Sequence, residues 1–380
     1  GCGAGPRVAW SAGILRLGRV PAALGAGRLP FPAEEMHRMR SFLSCLSPIL
    51  ALAAAALPGM AAGQACGDTL TTSVTLAADL HCTTGYTAFE VGASGITIHL
   101  NGKTLSGTHA LSGLNINGAD NVRIVGPGRI SGFWAGANVF RSPKLRVENV
   151  TFEDLGAGVL LSRSYGSRVH GSRFYRILNQ AVGIYDNAPG SSLPSGDNRI
   201  TGNQFGKVDI AIGTCGVTTG GNLIEGNVIG AAYSAGIRLA DHSGGNYVSG
   251  NRLHNAYLTG ISIGASRGNT VIDNQIEHSE VGIEIAARLD GRCVLDPALA
   301  SDNGDHKVYD NRIVDTAAAV MVGNNPYTGK VFHIAFGGNT IDTAAFGFMF
   351  DVNTVNNHVF GSTWTAVGTP VLDLGYGNTW

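Results

Sequence analysis

Between Asn198 and Ile285 the chain writes one pattern four times: NRITGNQFGKVDIAIG, NLIEGNVIGAAYSAGIRL, NYVSGNRLHNAYLTGISI and NTVIDNQIEHSEVGIEI. Apolar and polar positions alternate with a period of two, as at Ile200, Val248 and Val271 before a recurring Asn, and at Phe205, Ile229, Leu253 and Ile276 after it. Side chains alternate between faces in a strand and not in a helix, so this alternation predicts strands. The pairs Gly202-Asn203, Gly226-Asn227, Gly250-Asn251 and Asp273-Asn274 recur at spacings of 24, 24 and 23 residues. A period of that length means stacked supersecondary units. Leucine-rich repeats share it, but here the return segment is another short apolar strand, such as Gly236-Ile237-Arg238-Leu239. The expected fold is therefore all-β, a single-stranded right-handed parallel β-helix.

In such a solenoid, parallel strands of successive coils lie roughly 4.8 Å apart, and the favoured crossover is right-handed. Residues one coil apart in sequence become neighbours in space. The recurring Asn is expected at the turn, tolerating a left-handed backbone and bonding the Asn above and below in a ladder. About ten coils follow from strands such as Gly113-Leu114-Asn115-Ile116 and Gly347-Phe348-Met349-Phe350. Phe152, Phe174 and Phe205 fall at equivalent inward positions and predict an aromatic stack. Two excursions break the period, Asp186 to Asp197 and Ala287 to Asp305, and such insertions tend to gather on one face.

The first 65 residues lie outside the pattern. Residues 1–38 read as leader sequence ahead of a start at Met39 or Met36. Residues 39–65 read as a secretory signal peptide, with Arg40, the apolar run Phe42 to Leu57 and small residues at Gly63-Gln64-Ala65. Residues 66–95 are then expected as an N-terminal cap and 96–380 as the β-helix domain, secreted or periplasmic and free of the membrane after cleavage. The remaining chain has 20 basic and 25 acidic residues, a formal charge of −5, which argues against nucleic acid as a partner. In an exported protein Cys66 and Cys82 suit a disulfide at the entry to the first coil. Cys215 and Cys293 lie three coils apart, so they pair only if the loop Ala287–Asp305 brings them together. Asn378-Thr379-Trp380 begins a further coil, which leaves end-to-end self-association open.

Cys66-Gly67-Asp68, Asp79-Leu80-His81-Cys82 and the run Leu100 to Gly107 together resemble the opening of secreted bacterial right-handed parallel β-helix repeat proteins of the pectate-lyase-like superfamily. The resemblance extends through the repeats, and it implies the fold more than an activity. It implies an acidic polysaccharide as the partner of one solenoid face, with lyase, epimerase or hydrolase chemistry possible there. The alternative is a non-catalytic structural or adhesion module.

One outward line is expected to read Asn115, Asn138, Leu160, Tyr185, Gly213, Arg238, Ser262, Glu284, Met321 and Met349, with a notch about two coils wide at Gly213. Proton abstraction beside a uronate needs a cation, a base and an acid. Arg238 would neutralise the carboxylate, His242 would be the base and Tyr185 the acid. Asp186, Asp241, Arg267, Glu284 and Arg288 would bind the chain. Arg238 paired with Glu284, and Asp241-His242 as a plain polar corner, is the competing reading. Mannuronan epimerases of this fold carry Asp-Pro-His-Asp after the equivalent strand. Neither Gly183-Ile184-Tyr185-Asp186 nor Leu239-Ala240-Asp241-His242 matches it, and the Asp pairs and Gly-His-Gly of polygalacturonases are missing too. Asp302-Asn303-Gly304-Asp305 reads as an oxygen-rich turn able to hold Ca²⁺ through Asp302 and Asp305. The chain is also similar to periplasmic β-helix proteins of copper maturation, for which Met321, Met349 and His333 are the candidate soft ligands.

Overall fold

The computed structural model describes residues 64–83, 87–186, 194–288, 302–323 and 329–380. Most of the expected leader and signal segment, together with the middle of both excursions, lies outside them. Among the described residues every regular element is a strand, and every strand pairing is parallel. A sheet of twelve short strands runs from Val74–Thr75 to His358–Phe360. A sheet of 17 strands holds the longer ones, such as Arg173–Tyr185 and Gln204–Cys215. A third, of three strands, pairs Asn303–Gly304, Val331–Phe332 and Thr354–Val355. The chain is a right-handed parallel β-helix of about twelve turns. The count exceeds the expected ten because solenoid pairing starts inside residues 66–95, where Val74 already pairs with Ile98 and Phe89 with Leu114, and because Thr363–Asp373 adds a last rung.

Each coil contributes the same inward positions. On the short-strand sheet Ile124, Val147, Val169, Ile200, Ile224 and Val248 stack in register and are wholly buried. On the other sheet the expected aromatic column is present: Phe152 and Phe174 stack at 4.9 Å, Phe174 and Phe205 at 5.0 Å, with Ile229, Leu253 and Ile276 continuing it. Burying one such side chain contributes about 1.5–3 kcal/mol, and the repeat multiplies that along the axis.

The polar interior is a pair of ladders. Asn203, Asn227, Asn251, Asn274, Asn311 and Asn339 are buried; from Asn227 on, each takes on its Oδ1 both the backbone N–H and the side-chain Nδ2–H of the Asn one coil before, at 2.9–3.1 Å, while Asn203 Oδ1 accepts the Ser172 N–H at 2.9 Å. The left-handed backbone falls one residue earlier than expected, on Gly202 (φ 63°), Gly226 (φ 61°), Gly250 (φ 59°), Asp273 (φ 56°) and Asp310 (φ 54°). The corner is thus split: the Gly or Asp makes the turn, and the Asn is turned inward to satisfy the backbone groups there. Asn198, Asn222, Asn246 and Asn269 form a second ladder that ends on His306, whose Nδ1 accepts the Asn269 N–H at 3.0 Å.

The Cys66–Cys82 disulfide forms as expected. Cys215 is disulfide-bonded, and its expected partner Cys293 lies outside the described residues.

Candidate functional site

The outward line holds together over most of its length. Asn115, Asn138 and Leu160 are in register, and so are Arg238, Ser262, Glu284, Met321 and Met349. Between them the occupant is Gly183, which pairs with Leu160 and Gly213, and not Tyr185. Tyr185 stands two residues further on, paired with Ser162 and Cys215. The shift arises because Gly158 stands two residues before the outward Leu160, whereas in the next coil Gly183 itself occupies the outward position. The expected notch is filled. A Cβ on Gly213 would lie 2.7 Å from the Gln180 side-chain amide, and one on Gly183 would lie 2.6 Å from the Tyr185 ring. Tyr185 donates its hydroxyl to Gln180 Oε1 at 2.6 Å and packs on Cys215 and Ala240. Ala240 lies between Arg238 and His242 along the chain, so the three expected catalytic residues share one region of this face.

Their surroundings favour structure over chemistry. Glu284 is buried, receives a hydrogen bond from Ser262 Oγ at 3.1 Å and lies 3.7 Å from Arg288 Nη2. Asp186 is buried and accepts from Thr218 Oγ1 at 2.6 Å. Asp241 is wholly buried, and Asp241 and His242 are both left-handed (φ 51° and 69°), as expected of a polar corner. Burial pushes the His242 pKa below its ordinary value, against an upward pull from Asp241. Its Nε2 is closed off from solvent, so proton transfer to a bound chain would have to run through Nδ1. Arg267 stacks its guanidinium 4.9 Å from the centre of the Phe332 ring, and its backbone bridges to Gly304.

The Asp302 to Asp305 segment is not an open turn. Asn303–Gly304 is a strand paired with Val331–Phe332, and the Asn303 amide donates inward to the carbonyls of Ile263 and Ala286. Asp302 Oδ1 accepts the Lys330 N–H at 3.0 Å, and Asp305 lies 3.6 Å from His333 Nδ1. Of the copper candidates, Met321 and Met349 meet on adjacent rungs, whereas His333 pairs with Asp305 beside the third sheet.

Two surfaces escaped the sequence reading. On the short-strand sheet Arg123, Arg146, Arg168 and Arg199 stand in register on four consecutive rungs. Arg123 pairs with Glu148 at 3.3 Å. The other three are exposed and have no ion-pair partner among the described residues. Charges held at the ~4.8 Å strand spacing would repel by roughly 0.9 kcal/mol per neighbouring pair in water before salt screening.

Around the corner, on the long-strand sheet, a groove of about 680 Å³ runs from Gly102 to Gly230 past Arg129, Arg173, Tyr175 and Gln204. It crosses six rungs, roughly 24 Å. Arg176 and Lys207 place their charges 4.8 and 5.6 Å from the centre of the Tyr175 ring. Arg129 lies 3.2 Å from Glu153. The signal for the ladder was present in the sequence as Arg123-Ile124, Arg146-Val147, Arg168-Val169 and Arg199-Ile200: one Arg immediately before each inward residue.

Two family models match parts of the chain: the right handed beta helix region over residues 81–224 and the periplasmic copper-binding protein (NosD) over residues 191–334. A comparison with curated proteins returns no match. Among solved structures the chain is similar to the tailspike protein of E. coli bacteriophage HK620. A double mutant of it in complex with a pentasaccharide is 12% identical with a TM-score of 0.51, over 76% of this chain and 60% of that one. A mutant with one substitution and a two-residue deletion, in complex with a hexasaccharide, is 11% identical with a TM-score of 0.51, over 79% of this chain and 71% of that one. The chain thus spans about 60% of the first tailspike's length. At these identities the likeness is one of fold.

Proposed function

We propose that this chain is an exported β-helix that binds an acidic polysaccharide lengthwise along the solenoid. The observation that carries the reading is the ladder Arg123, Arg146, Arg168 and Arg199. Like charges set directly across parallel strands destabilise a sheet. A linear polymer bearing a carboxylate or sulfate on successive sugars turns that cost into binding energy, because its repeat can follow the rungs. Arg supplies planar, bidentate recognition of such groups. The neighbouring groove, with the aromatic face of Tyr175 and the cations Arg129 and Arg173, adds room for sugar rings. The tailspike structures similar in fold hold oligosaccharides, and the Cys66–Cys82 disulfide suits an exported protein.

The test is binding of the full chain to alginate, pectate and a neutral glucan, compared with an Arg146→Glu/Arg168→Glu variant. Exposed charge contacts contribute up to about 1 kcal/mol each, so reversing two should cost about 2 kcal/mol, near thirtyfold in affinity. The neutral glucan should not bind. Equal affinity for neutral and acidic polymers, or an unchanged double variant, contradicts the proposal. No saccharide binding at all leaves a structural module as the reading. Whether bound polymer is cleaved is read separately, as unsaturated product from wild type and Arg238→Ala.

A further inference from the structure

Past the end of the groove the same two outward columns continue onto residues of a different kind. Val228 pairs with Arg252, and two residues along that same strand His254 pairs with Glu277 of the next rung. His278 follows at the corner with a left-handed backbone (φ 57°) that turns it back over the same edge. One ligand atom from each of His254, Glu277 and His278 lies within 4.8 Å of the others. The two imidazole rings meet edge to face with centroids 4.8 Å apart, and His254 Nδ1 is 3.4 Å from Glu277 Oε2. Asp315 brings a second carboxylate, its Oδ2 3.3 Å from His278 Nε2.

The geometry points to a site for one divalent transition-metal ion on His254, Glu277 and His278, with Asp315 at its rim. Two imidazoles and a carboxylate suit Zn²⁺ or Cu²⁺, whereas Ca²⁺ and Mg²⁺ require oxygen-rich shells. The donors sit on adjacent rungs of a parallel sheet, so their spacing is fixed by the strand repeat and does not wait on a loop. Both histidines are about half exposed, with side chains 47% and 48% accessible, which leaves an entry path. Glu277 is only 16% accessible. Gln275 Nε2 donates to its Oε1, which helps to fix the orientation of the carboxylate. The main opposing group is Arg312, whose Nη1 is 3.5 Å from Glu277 Oε1. It occupies the other carboxylate oxygen and brings positive charge, so it should weaken an ion at this site. The inference stands on these side chains alone and does not require polysaccharide binding.

The experiment is titration of the full chain with Zn²⁺ and with Cu²⁺ by calorimetry, with the Cu²⁺ form examined by electron paramagnetic resonance. One ion per chain is expected, with nitrogen coupling from two imidazoles. His254→Ala and His278→Ala should each weaken binding roughly tenfold or more. His358→Ala, another exposed histidine remote in sequence, should change nothing. Arg312→Ala should tighten binding, which a purely structural Arg312–Glu277 ion pair would not produce. Circular dichroism of each variant confirms that the solenoid is intact. No binding by the folded chain, binding indifferent to both histidine variants, or a copper spectrum without nitrogen coupling would overturn the site.

Discussion

Replacing Asn227 by Ala tests the internal ladder that fixes the coil corners. Its amide makes four hydrogen bonds: it donates to the Ile200 carbonyl at 2.8 Å and to Asn251 Oδ1 at 3.0 Å, and it accepts from the Asn203 backbone N–H at 3.0 Å and from Asn203 Nδ2 at 3.1 Å. All these groups belong to a corner closed to water, since Asn203, Asn227 and Asn251 are each 0–1% exposed. The substitution strands the Asn203 N–H, at about 1–3 kcal/mol, and removes bonds worth about 1 kcal/mol net apiece. With the three other bonds the sum is about 4–6 kcal/mol. Each coil bonds only its neighbours, so the loss should be local. Hydrogen exchange measured by mass spectrometry should show protection falling more than about hundredfold around residues 200–203 and 248–251, and progressively less in coils further away. Unchanged protection there, or an equal fall along the whole solenoid, would contradict a ladder that acts coil by coil.

Phe174→Ala removes the middle ring of the column, losing stacks of 4.9 and 5.0 Å, and should cost about 3–5 kcal/mol in denaturant unfolding. A substantially smaller cost would mean that the column can collapse around the void. Burial lowers the His306 pKa to about 3, so the ring is neutral in the fold while the unfolded chain takes up a proton below about pH 6.5. The group is depressed, so its contribution is present above pH 6.5 and is lost as pH falls towards 3, at about 1.4 kcal/mol per unit. His306→Asn, which continues the ladder with the residue used in the preceding coils, should flatten that part of the stability–pH curve. An unchanged acid slope would contradict the assignment.

Fold and coil period were legible because a period of two inside a period of 24 leaves one physical solution. The Phe column was legible for the same reason. Finer placement failed where one residue type serves two purposes. Glycine marks a strand entry at Gly158 but an outward position at Gly183, so Tyr185 was set one outward place away from where it stands. Asn-Gly in Asp302 to Asp305 suggested a turn, yet the pair is a strand whose Asn303 points inward to two carbonyls. Three of the four arginines, Arg123, Arg146 and Arg168, precede the stretch Asn198 to Ile285 that sets the register, and the line of candidate chemistry lies beside the two excursions. His254, Glu277 and His278 come together only through pairing between rungs, and their sequence spacing gives no metal motif.

Affinity as a function of oligouronate length, at low and at physiological salt, tests most directly whether a charged chain lies along the arginine rungs. Affinity should climb until the oligomer spans the ladder, roughly 14 Å, then level off, and salt should weaken it most for the longest oligomers. Arg168→Glu, which divides the ladder, should abolish the dependence on length. Affinity that ignores length, or an Arg168→Glu protein that behaves as wild type, would contradict the account.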